Sequence, residues 1–304
     1  MAKKLVVILG PTASGKSAMA VSLAQKFNGE IVSADSRQVY RGMDLGSGKI
    51  TPDTKNSSNF STGQAKKKYI FTHKGIPHYC IDITSPRKRF TVVQYRQSAL
   101  KAINKIFNKG KMPILCGGTG FYIQAVVDGI VIPSVKPDWR LRSGLEKLAT
   151  GQLFEKLKKL DSRRAETIDK NNRRRLIRSL EIVLKTKKPV PSLEKKPFPY
   201  PVLMIGIKKE KKELSSLIRK RLQKRLKQGM INEVKKLRKS GVSWKRLEEF
   251  GLEYRFVAQY LQKKLSYDEM LQLIQKESEH FAKRQMTWFK RDKRINWIKN
   301  QKEA

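Results

Sequence analysis

The sequence predicts an α/β fold: a parallel sheet flanked by helices, with an all-helical stretch set into the middle of the chain. Three observations carry this. Short apolar runs alternate with stretches of helical periodicity toward both ends of the 304 residues. A glycine-rich turn joins the first apolar run to the first helix. Strand signals vanish between about 123 and 199 and then return.

Leu5–Leu9 is five apolar residues, with β-branched Val6, Val7 and Ile8, and predicts a strand buried on both faces. Ala18 to Phe27 has apolar positions at helical spacing, and Ile31-Val32 predicts a second short strand. Lys49 to Lys68 is polar, with a Ser/Asn cluster at 56–59, and predicts a mobile loop. Phe90 to Phe107 predicts a helix opened by Thr91, and Met112 to Cys116 a third core strand closed by Gly117-Gly118. Leu141 to Lys159 and Arg173 to Lys185 predict charged helices. The five prolines in Lys187 to Pro201 mark a linker or arm, and Val202 to Ile207 returns the chain to the sheet. Leu214, Leu217, Ile218, Leu222 and Leu226 form one amphipathic stripe; Met270, Ile274, Phe281 and Trp288 form another. These readings divide the chain into 1–122, 123–199 and 200–304, with no internal repeat.

Charge and cysteine usage narrow the function classes. Lys+Arg 67 against Asp+Glu 26 gives a net charge of +41, which favours a polyanionic partner through counterion release. Lysine outnumbers arginine, so part of the excess is general composition rather than a binding face. Cys80 and Cys116 have no CxxC neighbour and no clustered His, which argues against a zinc site or a disulfide framework and fits a reducing cytoplasm. Leu5–Leu9 is too short for a signal segment or a membrane span, so no membrane association is expected.

Residues 10–17, Gly-Pro-Thr-Ala-Ser-Gly-Lys-Ser, fit GxxxxGK[ST] between a strand and a helix. The backbone N–H groups of such a loop converge on phosphate oxygens, the lysine adds charge and the serine a hydroxyl for Mg²⁺. ATP hydrolysis and kinase chemistry also call for an acid at the end of an apolar strand. Here the best such strand ends in Gly117, and Asp82 follows only the short Cys80-Ile81. Asp35 lies just past the second strand, where the strands' carboxyl ends share a crevice. It can serve there as general base or metal ligand, or simply cap a helix.

Six blocks then occur in order: GPTASGKS at 10–17, SADSRQVYRGMDLGSGK at 33–49, GIPHY at 75–79, CGGTGFYIQAV at 116–126, NNRRRLIRSLEI at 171–182 and AKRQMTWFKRD at 282–292. Together they resemble the tRNA dimethylallyltransferases (tRNA isopentenyltransferases), over nearly the whole chain. The resemblance implies a P-loop nucleotide-kinase-like parallel sheet with a helical insertion domain. It implies transfer of the dimethylallyl group of dimethylallyl diphosphate to the N6 amine of the adenosine 3′ of the tRNA anticodon. The P-loop would then grip the prenyl diphosphate rather than ATP, which accounts for the missing acid.

Matched position by position, the resemblance assigns diphosphate binding to Gly10, Pro11, Thr12, Ala13, Ser14, Gly15, Lys16 and Ser17, with Ser17 on Mg²⁺. It makes Asp35 the base for the N6 amine. Thr12 contacts the oxygen bridging prenyl carbon and diphosphate, and Arg221 neutralises the diphosphate. Contacts to the anticodon stem-loop fall to Asp35, Ser36, Arg37, Gln38, Thr119, Arg174, Arg175, Leu176, Ile177 and Arg178. A bacterial-type, monomeric enzyme without a zinc finger is expected. Glu249 to Arg255 departs from the family's usual Gly-Tyr-Lys/Arg-Glu block, and 49–68 is longer and more polar than usual.

Other residues read more simply. His78 is expected to be structural, Trp288 to pack in the core and Arg291 to meet tRNA backbone; Phe90, Thr91 and Tyr95 suit either the prenyl pocket or the core. Three rivals share part of the pattern. An isopentenyltransferase acting on free AMP, ADP or ATP would use the same donor but need no basic insertion. A P-loop kinase would bind ATP and transfer phosphate. A non-catalytic RNA-binding protein would not need Thr12, Lys16, Ser17 and Asp35 intact.

Overall fold

The computed structural model describes residues 2–53, 70–130, 133, 135–192 and 194–299. The chain divides into two compact units, Met1–Gly129 with Pro197–Ala304, and Ile130–Lys196. The sequence-based boundaries at 122/123 and 199/200 lie a few residues away. The helix that follows Thr119 belongs to the first unit, where its buried face, from Tyr122 to Val127, joins the main core.

The first unit opens with β1 (Leu5–Leu9), α1 (Lys16–Lys26) and β2 (Gly29–Ser33). A short hairpin of β3 (Phe71–His73) and β4 (Ile76–Tyr79) leads to α2 (Val92–Asn108), β5 (Met112–Gly117) and α3 (Gly120–Val127). Thr91 caps α2 with its side chain, and Gln94 closes the reciprocal bond, so the expected helix start holds. Most of the polar loop read at 49–68 lies outside the described residues.

The second unit consists of α4 (Trp139–Leu145), α5 (Thr150–Leu160), α6 (Ser162–Thr167) and α7 (Arg173–Thr186). Its core is Leu145, Leu153, Leu157, Ile168, Leu176, Ile177 and Leu180. Beside that core, Glu181 is fully buried and accepts hydrogen bonds from Arg142 (2.7 and 2.8 Å), the Asp138 N–H (2.6 Å) and Arg178. Burial alone would raise the Glu181 carboxyl, but these bonds hold it below the usual carboxylate range.

The chain returns to the first unit through β6 (Val202–Ile207), α8 (Lys211–Lys227), α9 (Met230–Lys239), α10 (Trp244–Phe250), α11 (Leu252–Leu261), α12 (Tyr267–Phe289) and β7 (Ile295–Ile298). The seven strands form one sheet in the order β3-β4-β2-β5-β1-β6-β7, parallel except for the β3–β4 hairpin. Alternation along β1 sends Leu5, Val7 and Leu9 into a core built with α2, α3 and the C-terminal helices. Val6 and Ile8 face the opposite core, built with α1. Covered on both faces, the strand is apolar throughout, as a central parallel strand must be. Among the described residues, no helix is long and apolar enough to cross a membrane.

Candidate active site

Strand register creates the site. Leu9 pairs with Gly117 and Ser33 with Cys116, so β1, β5 and β2 end side by side. Three loops therefore leave one edge of the sheet together: the P-loop after Leu9, the turn 117–120 after β5, and Ala34–Gln38 after β2. Ligands bind at the carboxyl edge of such sheets because backbone donors and helix N-termini converge there.

In the P-loop, Ala13 takes a left-handed conformation (φ 63°), and the Ser14 hydroxyl is buried with no hydrogen-bond partner among the described residues. The Lys16 ammonium folds back onto the Pro11 carbonyl at 2.5 Å. From α8, Arg221 donates to the Thr12 hydroxyl. Both cations are withdrawn from water. Burial pushes Lys16 down to about 8, with Arg221 adding to the fall and Cys116 and Asp35 opposing it. Burial, then the charge of Arg225, pushes Arg221 down to about 10, while Glu253 and Asp35 oppose. Asp35 thus lies close enough to act on both cations, which unites the P-loop and the loop after β2 in one crevice.

Asp35 Oδ1 accepts the backbone N–H groups of Arg37 (2.8 Å) and Gln38 (3.3 Å), while Oδ2 has no hydrogen bond among the described residues. The carboxylate therefore orders its own turn with one oxygen and keeps the other available. Thr119 joins this loop to the turn after β5: its hydroxyl accepts the Ser36 N–H at 3.0 Å, and its N–H donates to the Ala34 carbonyl at 3.1 Å. Gln38 turns back to Ser33 (3.1 Å between Oε1 and the hydroxyl). Arg37 donates through Nε to the Phe250 carbonyl at 2.7 Å, and burial lowers its guanidinium. The departing 249–255 block thus reaches the site by a main-chain oxygen. Gly251 (φ 76°) turns α10 into α11 just beyond that carbonyl.

Of the residues expected from the sequence, Thr12, Lys16, Asp35, Ser36, Arg37, Gln38, Thr119 and Arg221 meet in or beside this crevice. Ser17 stands exposed in the first turn of α1. The α7 residues belong to the second unit. There Arg174 and Arg175 are exposed, but Leu176 and Ile177 are core residues and Arg178 is tied to Glu181 and the Val135 carbonyl (3.0 Å). The expected tRNA contacts at Leu176 and Ile177 do not come from exposed side chains: both fill the inward stripe of α7 rather than its surface. His78 is structural, as expected. It is buried, bonds the Ile76 carbonyl at 2.9 Å, and is pushed down to about 4 by burial, so it stays neutral. Tyr95 is buried, stacks on Tyr122 (3.8 Å between centroids) and donates to the Ser33 carbonyl at 3.0 Å; it floors the loop that carries Asp35.

One residue of the site was not anticipated. Gln285 on α12 is 7% exposed, accepts the Thr12 N–H at 2.8 Å and donates to the Gly118 carbonyl at 2.7 Å. The signal was present as a polar residue on the buried stripe Met270, Ile274, Ser278, Ala282, Phe289. Among the described residues, no three His, Cys, Asp or Glu side chains group to hold a metal ion.

Comparison with known proteins agrees with this geometry. A family model described as IPP transferase matches residues 38–292, and one described as isopentenyl transferase matches residues 3–59. The chain is 37% identical over 302 residues to the tRNA dimethylallyltransferase of Acetivibrio thermocellus, covering 97% of this chain and 91% of that one. It is 40% identical over 309 residues to tRNA dimethylallyltransferase 1 of Syntrophus aciditrophicus, covering 98% and 94%. The crystal structure of the full-length tRNA isopentenylpyrophosphate transferase of Bacillus halodurans superposes with a TM-score of 0.68 at 34% identity, over 98% of this chain and 90% of that one. A eukaryotic dimethylallyltransferase captured acting on tRNA gives 0.74 at 25% identity, over 95% and 70%. With a family match across most of its length, and relatives this similar from end to end, the chain belongs to the IPP transferase family, the tRNA dimethylallyltransferases.

Proposed function

We propose that the chain transfers a dimethylallyl group from dimethylallyl diphosphate to the N6 amine of the adenosine 3′ of the anticodon in tRNA, releasing diphosphate. The observation that carries this reading is the contact between Arg221 and the Thr12 hydroxyl on a P-loop. A guanidinium and a hydroxyl aimed at one point beside the phosphate cradle suit a leaving diphosphate, whose bridging oxygen gains charge as the C–O bond breaks.

The exocyclic amine of adenosine is a poor nucleophile. As its nitrogen bonds to the prenyl carbon and the carbon–oxygen bond breaks, Asp35 takes the N6 proton on its free oxygen. Lys16, Arg221 and the P-loop N–H groups receive the polyanion, and the unpartnered Ser14 hydroxyl gains a partner there. The target base leaves its stack to reach Asp35, with Ser36, Arg37, Gln38 and Thr119 beside it. Mg²⁺ fits this donor set as an ion carried largely on the substrate: the Ser17 hydroxyl and diphosphate oxygens would hold it, and no dedicated carboxylate cage is present among the described residues. When bound it would neutralise charge on the departing diphosphate. We take the active form to be a monomer meeting the anticodon stem-loop, with Arg174 and Arg175 engaging phosphates.

The test is a transfer assay with Mg²⁺, labelled dimethylallyl diphosphate, and either unmodified tRNA reading codons that begin with U or free AMP. Label on the adenosine 3′ of the anticodon is expected. Label in AMP alone would move the chain to the free-nucleotide class.

A further inference from the structure

We propose that Gln285 is a positioning residue that fixes the distance between the loop holding the leaving group and the loop holding the base; this rests on the transferase reading above. Both ends of its amide are committed. The Thr12 N–H requires an acceptor, so Oε1 faces it at 2.8 Å, and the Gly118 carbonyl requires a donor, so Nε2 faces it at 2.7 Å. Thr12 carries the hydroxyl that Arg221 touches. Gly118 precedes Thr119, which holds Ser36 (3.0 Å) and Ala34 (3.1 Å), the two residues flanking Asp35. One side chain from α12 thus closes a chain of contacts running Thr12–Gln285–Gly118–Thr119–Ser36–Asp35.

The surrounding sequence is built to admit this contact. A Cβ on Gly118 would lie 2.3 Å from Gln285 Nε2, so a side chain there would displace the amide from its present position. Nearly one turn further along α12, Trp288 covers Gly120, where a Cβ would lie 2.3 Å from the indole Cδ1. The same face of α12 therefore sets both ends of the turn after β5. Because β1 and β5 are already paired in the sheet, the strands alone fix Leu9 and Gly117. Thr12 and Thr119 lie beyond that register, and Gln285 extends it to them. Gln285 itself touches neither reactant in this account; it acts through the Thr12 main chain and the Thr119 turn. A displacement of about 1 Å between reacting groups costs on the order of 10²-fold in rate.

The experiment compares Gln285→Met, which keeps length and volume but loses both bonds, with Gln285→Glu, which keeps the acceptor for Thr12 and loses the donor for Gly118. Single-turnover transfer to tRNA, equilibrium binding of tRNA, binding of inorganic diphosphate and thermal melting are measured for each. The expected result for Gln285→Met is transfer slowed about 10²-fold, with tRNA and diphosphate affinities within about threefold of the parent. If Gln285 only stabilised the fold, melting would fall while the folded protein transferred at the parental rate, and the proposal would be overturned. Should Gln285→Met fail to fold, Gln285→Glu decides by the same criterion: slowed transfer with binding intact supports positioning, and the parental rate overturns it. A parent protein that prenylates no tRNA would instead refute the transferase reading, which separates the two failures.

Discussion

In the crevice of the first unit, Lys16 and Arg221 are cations held out of water, with their charged forms disfavoured by burial. In the second unit, Arg174 and Arg175 stand exposed on α7, while Arg142 and Arg178 turn inward onto the buried Glu181. On the transferase reading, the two kinds of cation suit two polyanions, a diphosphate and a tRNA. Desolvated cations act at short range, are little screened by salt, and regain stability only when a compact anion arrives. Exposed cations act through the ion atmosphere of a nucleic acid and are strongly screened.

The sharpest break of this contrast is at Asp35, which belongs to neither class. Asp35→Ala should slow transfer by about 10² to 10⁴-fold, the usual range for a general base, with tRNA binding retained; unchanged turnover would remove it from the mechanism. Next comes Glu181→Ala in the second unit. Losing this acceptor strands Arg142 and Arg178 and should cost about 2–3 kcal/mol locally, less than for a fully buried pair because both arginines reach water. Hydrogen exchange in α7 should quicken and tRNA affinity fall, with inorganic diphosphate binding unchanged. Equal loss of both would show that the units do not divide the labour.

A pH series sharpens the other side. Lys16 is protonated below about 8 in the free protein and loses its charge above that value. Donor kcat/KM should therefore fall as pH rises through 8, approaching tenfold per pH unit. Lys16→Arg should remove the fall, since a guanidinium stays charged there; a fall that persists would point to another group. The smallest effect is expected at Arg174→Ala and Arg175→Ala. Each should raise the KM for tRNA several-fold, leave kcat unchanged, and reduce the log–log salt slope by about one. Salt-insensitive tRNA binding would contradict the assignment.

Much of this was legible in the sequence because the signals are local. Leu5–Leu9, Met112–Cys116 and Val202–Ile207 are continuous apolar runs, and each is a central strand. The hairpin at 71–79 and the edge strand Ile295–Ile298 were not foreseen. They are short, only partly buried and mixed in polarity, so their strand character comes from pairing with neighbours. The P-loop announces itself through spacing, whereas Asp35 by position alone reads equally as a helix cap and draws its role from the family resemblance. Gln285 has no such signal, since its partners Thr12 and Gly118 are distant in sequence and only folding brings α12 over both loops. Leu176 and Ile177, assigned to tRNA through resemblance rather than through charge, lie where helical periodicity turns their side chains inward.

On the transferase reading, this P-loop serves a prenyl diphosphate rather than ATP. The most direct measurement supplies γ-labelled ATP and dimethylallyl diphosphate together, with Mg²⁺ and unmodified tRNA, and follows both donors. Dimethylallyl-tRNA and released diphosphate are expected in equal amounts, with ATP left intact. Consumption of ATP while tRNA stays unprenylated would contradict it.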